Sequence, residues 1–282
     1  MLSENAIWFA AQLVAAALMI LLGRVVARQR PAVWRMVAIA ATGAALLWPL
    51  MRWFPARFLH LFGSRVLMHI EVIGLIPAVL LLFTIAAYHA QCFKHRRLSV
   101  WLVLMCAIYF VRNGLWMICP PVPNLGETKY WHGVCMQSTS YTCVAASLVT
   151  LLHAYDIPTS ETEMAHLSMT ERNNGATDTR AVNALERKLA GRDIEVHYEK
   201  MDFERLCRVD KPCLVSTTFA YFVSHMVPVL EANERAVVLG DPLTGRRTIT
   251  AEEFQNLWSE RGIYLHAPAH TASIVRKSEP TP

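Results

Sequence analysis

Charge is scarce in this chain. Asp, Glu, Lys and Arg make up 17% of its 282 residues, against 54% hydrophobic ones, where a soluble globular chain carries about 25% charge. The shortage excludes an ordinary soluble protein from end to end, because the apolar excess is confined to the first ~120 residues. Nucleic-acid motifs are absent, as is any basic stripe interleaved with aromatics. The net charge of +5 therefore does not mark a nucleic-acid binder: many of the basic residues flank apolar runs, where membrane proteins place them. The opening "MLSENA" has no basic residue, which argues against a cleavable signal peptide and for a retained first helix with its N-terminus outside. The soluble part shows no internal repeat.

Four apolar stretches are present: Ala6–Gly23, Met36–Met51, Val72–Phe93 and Leu98–Val111, the last extending toward Cys119. About 20 apolar residues span a bilayer. The first and third reach that length, and the other two need their flanks, with Trp34 and Trp53 at interfacial positions. Arg24, Arg28, Arg30 and Arg35 follow the first stretch, and Lys94, Arg96 and Arg97 follow the third. This bias puts those two loops inside and, with four spans, both termini outside. An odd number of spans would turn the C-terminal part to the cytoplasm. His69 and Glu71, ahead of the third stretch, read as interfacial residues or as a polar site within the bundle. The predicted organisation is a transmembrane helical domain over 1–119, a Pro/Gly linker over 120–133, a soluble domain over 134–267 and a disordered tail over 268–282.

Within the soluble domain the apolar period is helical first. A helix is expected from Cys143 to Tyr155, a second after the capping-box pair Ser160 and Glu163, and a third after Thr179, closed by Gly191. The period then changes to that of strands: Ile194–Glu199, Cys213–Phe219, and a hairpin from His225 to Pro242 turning at Ala232–Glu234. "DPLTG" is a turn, Thr250 and Glu253 cap a further short helix, and Gly262–Ala267 is a last strand. Helices followed by an antiparallel sheet make an α+β pattern.

The chemistry-bearing residues fit that frame. Cys143 opens a helix, where unpaired N–H groups lower a thiol pKa. Gln137 stands six residues earlier, on the entering loop. Its amide and the Cys143 N–H would form an oxyanion hole. His225 opens a strand and Asp241 ends the partner strand, so the hairpin can bring the carboxylate to the imidazole and set its tautomer. Taken singly, Cys143 reads as a buried helix residue, Asp241 as a turn former and Gln137 as a surface amide. In this order and spacing they read as nucleophile, base, orienter and oxyanion donor. His132, His153, His166, His197 and His266 are read as surface or packing residues.

"QSTSYTC", "SHMVPVLE" and "VVLGDPLTGRRTITAEEFQNLW", in that order, make Val134–Leu265 resemble cysteine peptidase family 39, the papain-like bacteriocin-processing peptidases that cut after a double-glycine leader. The resemblance implies Cys143 as nucleophile, His225 as general base and acid, Asp241 as its orienter and Gln137 as oxyanion donor, with no cofactor. Two features depart from the family. Its Cys-Gly-Pro is here Cys143-Val144-Ala145, which keeps the N–H but narrows the expected approach of substrate. The domain follows membrane helices rather than preceding an exporter, so double-glycine specificity is not carried over.

Removing the nucleophile leaves Cys119, Cys135, Cys207 and Cys213 in the soluble part. An even number permits two disulfides, locally Cys207–Cys213 and Cys119–Cys135, in an oxidising compartment. Free buried thiols and a zinc site through His132 and Cys135 are the alternatives. The combined expectation is an α-helical membrane bundle of about four spans followed by an α+β papain-like cysteine peptidase domain. It sits in a bacterial inner membrane with the peptidase domain extracytoplasmic, its partners being the lipid bilayer and an exported or membrane-adjacent polypeptide, not nucleic acid. A peptide-binding module without activity and a transpeptidase resolving the thioester with an amine are the rival functions.

Overall fold

A computed structural model describes residues 2–73, 76–115, 124–172, 175–220 and 223–266. The predicted tail over 268–282, Cys119 and the start of the predicted linker lie outside them. The chain divides into two compact units, 1–119 and 120–282.

The first unit is helical: α1 (Leu2–Ala27), α2 (Pro31–Trp53), α3 (Pro55–Ile73), α4 (Ile76–His89) and α5 (Phe93–Leu115). α4 packs against α1, α2 and α5, with Leu80 and Ile85 buried. Gly23 of α1 lets the two backbones approach: a Cβ there would sit 2.7 Å from Thr84 Cβ, the close contact that small residues permit between membrane helices. Large side chains such as Ile39 and Leu46 face outward, as a bilayer-facing surface requires. Among the described residues two helices are long and apolar enough to cross a membrane, Phe9–Ala27 and Pro31–Met51; Pro55–Glu71 and Ile76–His89, bent by 54°, add a third if they form one broken span. Length and composition thus single out two or three spans where about four were expected. Within the third apolar stretch α4 has 14 residues, about 21 Å of helix, short of a ~30 Å hydrocarbon core, so it reaches across only together with the segment before it, and α5 is not among the spans so counted. The segment before it, expected as a loop, is α3, an amphipathic helix broken at Gly63 (φ 75°) that buries Leu67, Met68 and His69.

The second unit contains β1 (Lys129–Trp131), β2 (Val134–Met136), α6 (Cys143–His153), α7 (Glu161–Leu167), α8 (Asp178–Lys188), β3 (Glu195–Lys200), α9 (Phe203–Arg208), β4 (Cys213–Ala220), β5 (Val223–Ala232), β6 (Ala236–Asp241), β7 (Gly245–Thr250), α10 (Ala251–Leu257) and β8 (Trp258–His266). The last six strands form one antiparallel sheet, in the order β3-β8-β4-β5-β6-β7. β1 and β2 form a separate hairpin, so the end of the predicted linker is a strand of this unit. From Val144 to Leu152 every side chain of α6 is buried. The helix is therefore the centre of the unit, packed against β5, α7 and β2.

Local signals set several boundaries. Ser160 caps α7 by accepting from the Glu163 N–H. α8 starts earlier than expected, because Thr177 rather than Thr179 is its cap. At α10 both halves of the Thr250/Glu253 capping box are made. Asn233 accepts from the N–H groups of Arg235 and Ala236 and so closes the β5–β6 hairpin. Behind the sheet, Phe254 packs on Trp258 and Phe203 in a core with Leu206, Val229 and Leu239.

Candidate active site

Cys143 is the first residue of α6 and Thr142 its N-cap, so the thiol sits where the first helical N–H groups have no helical acceptor. One turn on, Ser147 lies on the same helix face and donates to Met226 O at 2.8 Å. This bond fixes α6 against β5 at the residue after His225, and a Met226 backbone hydrogen bond reaches the Cys143 thiol. β4 holds β5 in turn: Thr217 Oγ1 donates to His225 O at 3.1 Å. Strand pairing and one serine thus bring imidazole and thiol together, and the two side chains share a hydrogen bond.

The other ring nitrogen is committed. His225 Nε2 lies 2.9 Å from Asp241 Oδ1, which leaves Nδ1 for the thiol. Asp241 ends β6 and is itself held on three sides: Oδ1 also accepts from the Leu243 N–H at 2.9 Å, and Oδ2 from Thr244 Oγ1 at 3.0 Å. His225 is 7% and Asp241 4% exposed, so the pair is screened little by water.

Burial by itself pushes the Cys143 thiol up. The hydrogen bond from His225, backbone hydrogen bonds from Met226 and Val144, and the charge of His225 outweigh it and hold the thiol below its ordinary value. For His225 burial works against the proton, but the bonds to Asp241 and Cys143 raise its pKa from 6.5 to about 9. Burial likewise raises Asp241, and its bonds to His225, Leu243 and Thr244 bring it down to about 2. All three directions favour one state: thiolate, imidazolium, carboxylate. Such a line can supply a nucleophile, an acid and an orienting charge.

Gln137 occupies the loop entering α6. Its N–H donates to Pro242 O at 3.0 Å, joining this loop to the Asp241 turn. One proton of its side-chain amide goes to Thr139 O at 2.7 Å; among the described residues the second meets no acceptor, and the buried Oε1 no donor. The four residues singled out from sequence therefore meet in one region: Cys143, His225 and Asp241 in a bonded line, Gln137 on the adjoining loop. Val144 is 3% exposed, so the side chain replacing the family's glycine points into the unit rather than across the approach to the thiol.

Sequence reasoning missed Ser147, whose spacing of one turn from Cys143 was a usable signal. It also missed Glu161, whose carboxylate receives the Ser138 N–H at 2.8 Å and the Ser138 hydroxyl across a separation no local pattern reveals. The expected Cys207–Cys213 disulfide is not formed: both residues, with Cys135, are free thiols. Cys119 lies outside the described residues. Burial pushes Cys135 and Cys213 up to about 12, the reverse of Cys143. Among the described residues no group of three or more His, Cys, Asp or Glu side chains is placed to hold a metal, so His132 and Cys135 have no further ligand there.

Known proteins match the same region. An uncharacterised protein of Methanothermobacter thermautotrophicus is 27% identical over 135 residues, 48% of this chain and 89% of that one. The peptidase domain of Streptococcus ComA, a bi-functional ABC transporter involved in quorum sensing, is 21% identical with a TM-score of 0.43, covering 47% of this chain and 96% of that domain. A double glycine motif protease from an AMS/PCAT transporter, solved with the leader peptide, is 21% identical with a TM-score of 0.43 over 52% of this chain and 98% of that one. The model of the Peptidase C39 family matches residues 132–270, and in that region the chain is similar to this family of peptidases.

Proposed function

We propose that the protein is a membrane-anchored cysteine peptidase that hydrolyses peptide bonds in exported or membrane-adjacent polypeptides, with Cys143 as nucleophile, His225 as acid and base, Asp241 as orienter, and Gln137 with the Cys143 N–H as oxyanion donors. The observation that carries the reading is the buried Asp241–His225–Cys143 line, whose hydrogen bonds all favour the thiolate–imidazolium state.

The thiolate attacks the scissile carbonyl carbon, and the C=O electron pair moves onto oxygen. The free Gln137 amide proton and the Cys143 N–H receive that oxyanion. His225 passes its proton from Nδ1 to the departing nitrogen, the C–N bond breaks, and an amine leaves a Cys143 thioester. Neutral His225 then takes a proton from water, the hydroxide adds to the thioester, and the C–S bond breaks to release the acid and restore the ion pair. Asp241 keeps the Nε2 proton in place throughout and offsets the imidazolium charge in a site with little water.

Anchoring restricts the substrate to polypeptides at the membrane. Two relatives act in transporters, one solved with a leader peptide, so a peptide with a recognition segment ahead of the cut is the natural substrate class. Orientation is inferred from the basic residues. Arg24, Arg28 and Arg30 follow the first span, and Lys94, Arg96 and Arg97 begin α5. If the bent pair and α5 each cross once, both groups lie on the inner side of a bacterial inner membrane, and the peptidase unit lies outside.

The test compares wild type with Cys143→Ala in membranes, using an electrophilic peptide probe and mass profiling of co-expressed exported proteins. Loss of both labelling and a processed product with the variant supports hydrolysis at Cys143. A product mass lacking added water points to amine transfer. A wild type that neither labels at Cys143 nor changes any polypeptide overturns the peptidase reading in favour of a binding module.

A further inference from the structure

Gln137 has an unusual setting for a loop residue. Its own N–H is bonded to Pro242 O at 3.0 Å, and the next N–H, of Ser138, is bonded to Glu161 Oε1 at 2.8 Å. The peptide units on both sides of the Gln137 Cα are therefore fixed, and with them the direction in which its side chain leaves the backbone. The Ser138 hydroxyl donates to the other oxygen of the same carboxylate, so one carboxyl group takes both donors of one residue.

Glu161 is 1% exposed, the first residue of α7, and its own N–H is bonded to Thr128 Oγ1 at 3.1 Å. Among the described residues no Lys, Arg or His pairs with it. Burying a carboxylate without a cation is costly, and among the described residues its donors are those of Ser138. Charge-assisted hydrogen bonds are about twice as strong as neutral ones, which suits a clamp on a short loop. After Ser138 the loop runs into Thr139, whose N–H is bonded to Thr142 Oγ1 at 3.2 Å, and so into Cys143.

We propose that Glu161 is a positioning residue for acyl transfer: by gripping Ser138 it holds the Gln137 amide where the oxyanion forms. The inference rests on the peptidase reading and adds a residue to it. Glu161 touches neither substrate nor thiol in this role, and its effect passes through Gln137.

The role separates two reactions at Cys143. Alkylation by iodoacetamide needs the thiolate but creates no oxyanion. Acylation by p-nitrophenyl acetate passes through a tetrahedral oxyanion and needs the donors. With the full chain in detergent, both rates are measured at Cys143 by peptide mass mapping for wild type, Gln137→Ala, Glu161→Ala, Glu161→Gln, Ser138→Ala and the Glu161→Ala/Gln137→Ala double variant. Removing an oxyanion donor slows such chemistry by roughly 10²–10³-fold, and Glu161→Ala is expected to slow acylation by up to that factor while alkylation stays at the wild-type rate. Glu161→Gln keeps an acceptor for the Ser138 N–H and restores most of the rate. Ser138→Ala loses only the hydroxyl bond and falls between, which keeps the test available if Glu161→Ala does not fold. The double variant is no slower than Gln137→Ala alone. Equal slowing of both reactions by Glu161→Gln and Ser138→Ala, or multiplied effects in the double variant, overturns the positioning role. A wild type whose Cys143 reacts faster than the buried thiols with neither probe removes the peptidase reading, and the role falls with it.

Discussion

Asp241→Asn isolates the charge that orients the imidazole. Asparagine keeps the size of the side chain and an oxygen for the Leu243 N–H, 2.9 Å away in the wild type. It loses the negative charge 2.9 Å from His225 Nε2; if the amide turns over, its NH2 replaces the oxygen that Leu243 and His225 share, gives up the Leu243 bond and faces Nε2 as a donor, which would move the proton to Nδ1, the wrong tautomer. In the wild type, burial draws the His225 proton off, and four influences hold it on: the hydrogen bond to Asp241, the largest, the bond and charge of Cys143, and the charge of Asp241. Together they raise the pKa from 6.5 to about 9. Two of those four influences are lost with Asp241, and an opposite charge this near is worth about 1–3 pK units, so the proton-holding limit falls by at least ~1 pH unit, or ~1.4 kcal/mol at 1.36 kcal/mol per unit. The thiol moves the other way, because the imidazolium that holds it down is less populated. Wild-type ion pairing spans the range from the lowered thiol pKa up to about 9. In the variant the lower edge rises, the upper edge falls, and the window narrows from both sides. The assay is the pH–rate profile of Cys143 alkylation beside that of acylation. Alkylation at pH 7 should fall roughly tenfold, and the alkaline limb of acylation should move from about 9 to about 8 or below. Profiles that superpose on those of the wild type would refute the view that Asp241 sets the state of His225.

Iodoacetamide at pH 7.5 should modify Cys143 at least ~10⁴-fold faster than Cys135 or Cys213, whose thiols burial raises to about 12, since only the thiolate reacts; peptide mapping reads the order, and comparable rates would sink the ion-pair assignment. Phe254→Ala removes a fully buried ring packed at a tilt against Trp258 and Phe203 and should cost about 3–5 kcal/mol, seen as a lower temperature at which Cys143 labelling is lost. Thr250→Ala breaks the α10 capping box and should cost about 1 kcal/mol with the acylation rate at Cys143 unchanged.

Much of the second unit was open to local reading. Cys143 at the start of an apolar helix, His225 and Asp241 on neighbouring strands, the Asn233 turn and the Thr250/Glu253 cap are written within a few residues of where they act. The elements that were missed lack such a signature. β7 exposes Arg246, Arg247 and Thr248 in succession, so no alternation marks it, and its pairing with β6 makes it a strand. α9 has six residues, too few for a period to show. α3 carries Arg57, His60 and Arg65 among its apolar residues and looks like a loop until its partners define a buried face.

By itself the sequence determined where charge is too sparse for water, that Cys143, His225 and Asp241 are the candidates for nucleophile, base and orienter, and that a helix precedes a sheet. Only the tertiary structure decided which nitrogen of His225 meets Asp241, that Cys207 and Cys213 remain apart, that Val144 turns inward, and that Glu161 grips Ser138. The division has one physical cause. Periodicity and capping are interactions within a few residues and leave their mark on the local chain. Hydrogen-bond partners in a buried site are set by packing between segments far apart in sequence, and only the folded chain brings them within 3 Å of each other.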